Sequence, residues 1–355
     1  MSTFVPGAEL SRRLYDEVVQ PVLSAGFAQL PHSAALLGRG SEVLGFDDEM
    51  STDHDWKPRV SVFLADEDEP RYGAAVREAL QRGLPPTFAG HRIAHEVTTV
   101  RGHVREQLEL DIDRAIEPRD WLTLPEHGLR MFTSGVVFHD EVGLQWARRR
   151  LAYYPRDVWL YLLITAWWRV HPEMNLVGRA GAAGDELGSA LIGARLVHDL
   201  MRLAFLMERQ YAPYSKWFGT AFSRLGCGPE LTPILWNVLR AETWQDREAA
   251  LMMAYERLVL MHNGLGLTTP VTTQVVQLWN RPFKVAWADI PDLLLPLIHD
   301  PAVLSIARRW PVGPVDQVRE LIWAPGNRPL LLRLFDQDAP LRPDRDLGGS
   351  QGSTR

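Results

Sequence analysis

The chain has 355 residues, long enough for two domains that each bury a core. With 46% apolar and 23% charged residues, its composition is that of a folded protein and not of a disordered one. A formal charge of -6 argues against bulk attraction to nucleic acid or anionic lipid, and the lone cysteine, Cys227, excludes an intramolecular disulfide and a cysteine-based zinc site.

In chain order, the first residues lack a basic-then-apolar signal pattern, and residues 8–25 have the period of an amphipathic helix. "SAALLGRGS" holds a short apolar strand that ends at Gly40-Ser41. "DHDWKPRVSVFLAD" alternates across Val60, Val62 and Leu64, which predicts a half-buried strand. "RYGAAVREALQRGL" is helical in period, "HRIAHEVTTVRG" is β-branched enough for a third strand, and "SGVVFHDEVG" fits a fourth. From about residue 141, helical periods take over. "VWLYLLITAWW" (158–168) is too short to span a bilayer and reads as a buried helix. Leu196, Leu200, Leu203 and Met207 mark one core face of a long helix that Pro213 is expected to stop. "DREAALMMAYERLVLMHNGLG" predicts another, closed by Gly264, and shorter helices separated by prolines follow. The expected organisation is an α+β domain over residues 1–140, a helical domain over 141–340 and a polar tail over 341–355. The expected location is the cytoplasm, with no membrane partner.

The stretch "GRGSEVLGFDDEMSTDHDW" (38–56) carries the strongest chemical signal. Asp53 and Asp55 have strand spacing, so both carboxylates are expected on one face, where they can chelate Mg²⁺ or Mn²⁺. Eleven residues separate Ser41 from Asp53. A glycine at a strand-to-helix turn lets backbone N–H groups approach a phosphate, and the Ser41 hydroxyl can donate to it. Arg39, inside the same turn, is counted with Gly40 and Ser41 as a phosphate ligand. Asp47, Asp48 and Glu49 read as solvated loop acids.

A Gly-Ser turn followed at this distance by Asp-x-Asp resembles the polymerase-β-like nucleotidyltransferase superfamily. "LLGRGSEVLGFDDEMSTDHDW", "RLAYYPRDVWLYLL" and "RQYAPYSKWFGTAF" resemble, more closely, the nucleotidyltransferase-like DUF4037 family, over about residues 30–335. The resemblance implies a small mixed sheet that carries a metal site, and a helical bundle that closes over a nucleotide. Superfamily members usually have a third carboxylate on a neighbouring strand, and Glu96 in "HRIAHEVTTV" is the candidate. Asp111 and Asp113 form a second Asp-x-Asp, better explained as helix N-capping. In "RQYAPYSKWFGT", Lys216 can neutralise a triphosphate and Tyr214, near Tyr211 and Trp217, can stack on a base. The same lysine can equally lie over aromatic rings at an interhelix corner. Arg195, His198, Arg202 and Arg209 form a stripe that reads first as a solvated helix face.

The expected activity is Mg²⁺-dependent transfer of a nucleoside monophosphate from a nucleoside triphosphate, ATP first, to a hydroxyl of an unidentified small molecule, protein or tRNA. In this expectation Asp53, Asp55 and Glu96 are catalytic. One alternative is a nucleotide-binding protein without catalysis on the same fold. Another is a helical ribonuclease that uses Arg257 and His262, whose four-residue separation resembles the Arg-x4-His pattern of HEPN-type ribonucleases.

Overall fold

The four strand patterns of the first 140 residues join in one mixed sheet. The structure is a computed structural model that describes residues 4–53, 56–286, 289–309, 313–318, 328 and 332. The chain enters through α1 (Gly7–Leu14) and α2 (Gln20–Phe27), joined by a π-helical turn at Tyr15–Val19. Then come β1 (His32–Leu36), the short α3 (Ser41–Leu44), a 3-10 helix at Glu49–Asp53, β2 (Arg59–Leu64) and α4 (Glu69–Gly83). A small ladder of β3 (Thr87–Phe88) and β4 (His91–Arg92) leads to β5 (Ala94–Thr99) and α5 (Val100–Leu108). α6 (Pro118–Thr123) and α7 (Glu126–Thr133) precede β6 (Val136–Asp140).

The order across the sheet is β5-β2-β1-β6, with β2 and β5 parallel and the other pairs antiparallel. Ala35 pairs with Ser61, Arg59 with Ala94 and Leu36 with Val136. The C-terminal end of β1 and the N-terminal ends of β2, β5 and β6 therefore share one end of the sheet. Gly135 fixes β6 there: its φ of 72 is left-handed, and a Cβ would collide with the Leu36 carbonyl oxygen.

One sheet face carries Ala34, Val60, Val62, Leu64 and Val97 against Leu14, Tyr15, Val19, Leu23, Val76 and Leu80 of the flanking helices. The other face, through Ala35 and Phe63, enters a second core that continues through the helices to Ile306. Helices thus cover both faces, so β2 is buried on both sides and not half-buried as its alternation predicts.

The helical part comprises α8 (Leu144–Arg150), α9 (Arg156–Val170), α10 (Leu176–Ala182), α11 (Glu186–Met207), α12 (Ser215–Ser223), α13 (Gly228–Arg240) and α14 (Trp244–Gly264). A hairpin of β7 (Val275–Gln277) and β8 (Lys284–Ala286) follows, then α15 (Ile290–Leu294), α16 (Pro301–Arg309) and α17 (Val315–Val318). The α9 residues Val158–Trp167 are buried, as expected of a core helix. Among the described residues, no helix is long and apolar enough to cross a membrane. The long helix α11 does not run on to Pro213. It ends at Met207, and Arg209 takes a left-handed φ of 51 while the Gln210 N–H returns to the Phe205 carbonyl. Likewise α14 includes Gly264, and Gly266 is the glycine with positive φ beyond it.

Candidate functional site

The sheet end defined above is where β1 turns into α3. Gly40 caps that turn with φ 139 and ψ 151, a conformation open only to glycine, and a Cβ there would strike the Glu42 carboxylate. Glu42 is 2% exposed and points back under the turn. Burial pushes its carboxyl above the usual range, and Arg59, with Nη1 2.8 Å from Glu42 Oε1, opposes that shift. Arg59 also donates to the Arg39 carbonyl. The first strand residue of β2 thus braces the Gly-Ser turn from the opposite strand.

Beside this brace lies a cleft of about 470 Å³ whose lining includes Gly38, Arg39, Arg59, Ser61, Glu96 and His103. Ser61 and Glu96 are register partners on β2 and β5, so their side chains share a face. The Ser61 hydroxyl donates to Glu96 Oε1 at 2.5 Å, and His103 Nδ1 from α5 lies 3.4 Å from the same oxygen. His103 is buried against Phe63 and Phe132, while the Glu96 side chain is 46% exposed to the cleft. The His103 contact, helped by Ser61 and opposed by partial burial, holds the Glu96 carboxyl below its usual range. At neutral pH the Glu96 carboxyl is therefore ionised and held in one orientation, in a cleft that Arg39, Arg59 and a second acid, Glu106, also line.

Asp53 of the expected metal pair is placed differently. Asp53 closes the 3-10 helix Glu49–Asp53 and β2 begins only at Arg59, so Asp53 is not a strand residue and the argument from strand alternation does not hold for it. The physical reason is local. Asp48 accepts from the Ser51 N–H and hydroxyl, and the Thr52 hydroxyl donates to the Glu49 carbonyl, which winds this segment into a turn. Asp55 and the Asp53 side chain lie outside the described residues. Asp47 also departs from expectation: Oδ2 accepts from the Gly7 N–H at 2.7 Å and from Trp56 Nε1 at 3.0 Å, tying the loop to α1.

The second block is brought against the first. Trp217 of α12 stacks on Phe46, 5.4 Å between centroids, and the Phe46 N–H returns to the Ser41 carbonyl. Lys216 is exposed, with Nζ 4.9 Å above the Trp217 ring, which is the corner geometry weighed against the phosphate role. Tyr214 is half-buried, meets His127 edge-on at 4.8 Å, and lines a second cleft of about 600 Å³ with His198, Arg202 and Asp316. His127 is pushed down to about 4 by burial and then by Arg130 and Arg39, so Arg39 influences both clefts.

The basic stripe Arg195, His198, Arg202 and Arg209, whose last member lies just beyond α11, is not one solvated face. Arg195 pairs with Glu173, Arg209 lies over Trp159, and Arg202 pairs with Glu126 at 2.7 Å. Glu126 is 5% exposed as a side chain; burial and the nearby Asp316 push its carboxyl up to about 7 against the pull of Arg202. Asp111 and Asp113 cap no helix: both pair with Arg101, and Glu117 is the N-cap of α6. Arg257 pairs with Glu230, whereas His262 is 1% exposed against Trp167 and burial pushes it down to about 4. A buried neutral imidazole cannot reach RNA for acid-base cleavage, so the geometry disfavours the ribonuclease alternative.

Glu42, Arg59, Ser61 and His103 belong to no recognisable sequence motif. Their one trace is Arg59 and Ser61, polar at alternate positions of an otherwise apolar strand.

Fold and site together define an α+β protein with a small mixed sheet, a helical layer and a polar cleft at one sheet end. The model of the family described as "Domain of unknown function (DUF4037)" matches residues 121–218, which bears out that resemblance over this stretch. The match contains "RLAYYPRDVWLYLL" and most of the Lys216 block, while the Gly-Ser and Asp-x-Asp block lies outside it. A crystal structure of a nucleotidyltransferase-like protein from Exiguobacterium sibiricum 255-15 is similar at 12% identity, over 73% of this chain and 78% of that one. Its TM-score of 0.31 is too low to establish a shared fold. No curated protein matches the chain.

Proposed function

We propose that the protein is a Mg²⁺-dependent nucleotidyltransferase, with residues 1–140 holding the nucleotide and 141–340 closing over it. The observation that carries this reading is that Gly38 and Arg39, which lead into Gly40-Ser41, line one cleft with Glu96 of β5, although they are more than fifty residues from it in the chain. Gly40 and Ser41 hold the β- and γ-phosphates through backbone N–H groups and the serine hydroxyl, and Arg39 adds charge. Asp53 and Asp55 would supply the oxygen donors that Mg²⁺ or Mn²⁺ prefers. The bound ion would neutralise charge on the transferred phosphate. An acceptor hydroxyl in the cleft attacks the α-phosphorus, pyrophosphate leaves, and the hydroxyl proton passes to Glu96. Ser61 and His103 hold that carboxylate in one orientation, and positioning is most of what such a transfer needs. Lys216 and Tyr214 are proposed to close on the phosphates and base of ATP.

Calorimetry with ATP, GTP, CTP and UTP, with and without Mg²⁺, tests this. Absence of binding, or binding unchanged in Asp53→Ala/Asp55→Ala, overturns it. One observation favours a second reading, nucleotide binding without transfer: Glu96 is already engaged by both Ser61 and His103. Loss of α-phosphate label from ATP to any acceptor in a cell extract separates the two.

A further inference from the structure

The opposite end of the sheet carries a second constellation. His32 opens β1, His139 lies in β6, and Glu141 follows directly after β6. The β1–β6 register sets Ala34 opposite His139 and Ser33 opposite Asp140, which brings the two imidazoles to a centroid separation of 4.6 Å. Glu141 Oε2 lies 3.1 Å from His139 Nε2 and accepts from the His32 backbone N–H at 3.3 Å. One ligand atom from each of the three side chains falls within 4.8 Å of the other two. Tetrahedral ligands at about 2.0–2.2 Å from zinc sit about 3.5 Å apart, so closure needs a shift of only about an ångström.

We propose that His32, His139 and Glu141 form a binding site for a divalent transition-metal ion, zinc being the best fit. Two imidazole nitrogens and one carboxylate oxygen make a borderline donor set that suits Zn²⁺ and not Mg²⁺. Two of the three ligands, His32 and Glu141, are already in the form a metal requires. Burial, then the neighbouring His139, pushes His32 below its usual value, so it is neutral near pH 7. The hydrogen bond with His139 holds the Glu141 carboxyl below the usual range, so it is ionised. Orientation is also built in. His32 bonds to the Leu30 backbone, which fixes the ring, while Tyr15 Oη, 3.1 Å from His32 Nε2 in a ring stacked on Phe138, is the contact that an ion on Nε2 would displace. The Glu141 and His139 side chains are 50% and 35% exposed, which leaves solvent access for a fourth, water ligand. Such an ion would clip the start of β1 to the end of β6. The site lies at the far end of β1 from the Gly-Ser turn and does not depend on the nucleotidyltransferase reading.

Titration of metal-free protein with Zn²⁺ against a chromophoric chelator tests the proposal, with Co²⁺ absorption as a second readout. The expected result is one ion per chain, with affinity falling about tenfold or more in both His139→Ala and Glu141→Gln. The wild type should also melt at a higher temperature with Zn²⁺ present, a shift both variants lose. Should His139→Ala fail to fold, Glu141→Gln decides the matter, because it keeps size and polarity. No stoichiometric binding by the wild type, or equal affinity in a folded variant, overturns the site.

Discussion

The two clefts, one lined by Arg39 and Glu96 and the other by Glu126 and Arg202, use carboxylates in opposite ways. At the sheet end, Glu96 is partly exposed and meets a hydroxyl and an imidazole, so its charged form is favoured. Between α7, α11 and α12, Glu126 is buried near a second carboxylate, Asp316, so its charge is disfavoured despite Arg202. The first arrangement keeps an anion available to a ligand. The second neutralises itself, and it holds the 313–318 segment to α7 through the Asp316 carboxylate on the Glu126 N–H. A charged side chain in a cleft is thus a site only when the fold leaves its charge unmatched and reachable.

The largest test of this contrast is Arg202→Ala. Removing one partner of the buried pair should cost roughly 3–5 kcal/mol in urea unfolding at pH 8. The loss should shrink near pH 5, where Glu126 takes a proton and no longer needs a cation. The wild type carries the same signature. The Glu126 carboxyl titrates near 4.5 unfolded and about 7 folded, so its contribution is complete below 4.5 and is lost as pH rises through 7. Glu126→Gln should flatten the stability profile across that window, and an unchanged slope would assign it to other groups.

On the other side of the contrast, Glu96→Gln should leave unfolding within about 1 kcal/mol while transfer falls by roughly 10²-fold or more. If stability collapses and transfer persists, the two clefts have exchanged roles. Gly40→Ala should be next, with about 1–3 kcal/mol of backbone strain and weakened triphosphate binding in calorimetry. Smallest is Lys216→Met, expected to leave stability within about 0.5 kcal/mol and to lower ATP affinity only modestly.

Much of the chain's local structure was legible from periodicity. The N-terminal helix, the four sheet strands and the long α11 and α14 follow from short-range preferences that any fold must respect. The Gly-Ser turn was legible because Gly40 has a backbone conformation other residues cannot adopt. The strand placement of Asp53 fails because alternation does not extend through residues whose own side chains form a 3-10 turn. The end of α11 was misassigned to Pro213 because a left-handed Arg209, not a proline, closes it.

The sequence by itself therefore determined elements, turns and the composition of the cores, all of which depend on neighbours a few residues apart. Only the tertiary structure decided which charges meet. Glu42 with Arg59, Ser61 with Glu96, Glu126 with Arg202 and His32 with His139 are joined across 17 to 107 positions, by strand register and helix packing. Register is set by the sum of both apolar cores, and no local pattern at any of these residues encodes it.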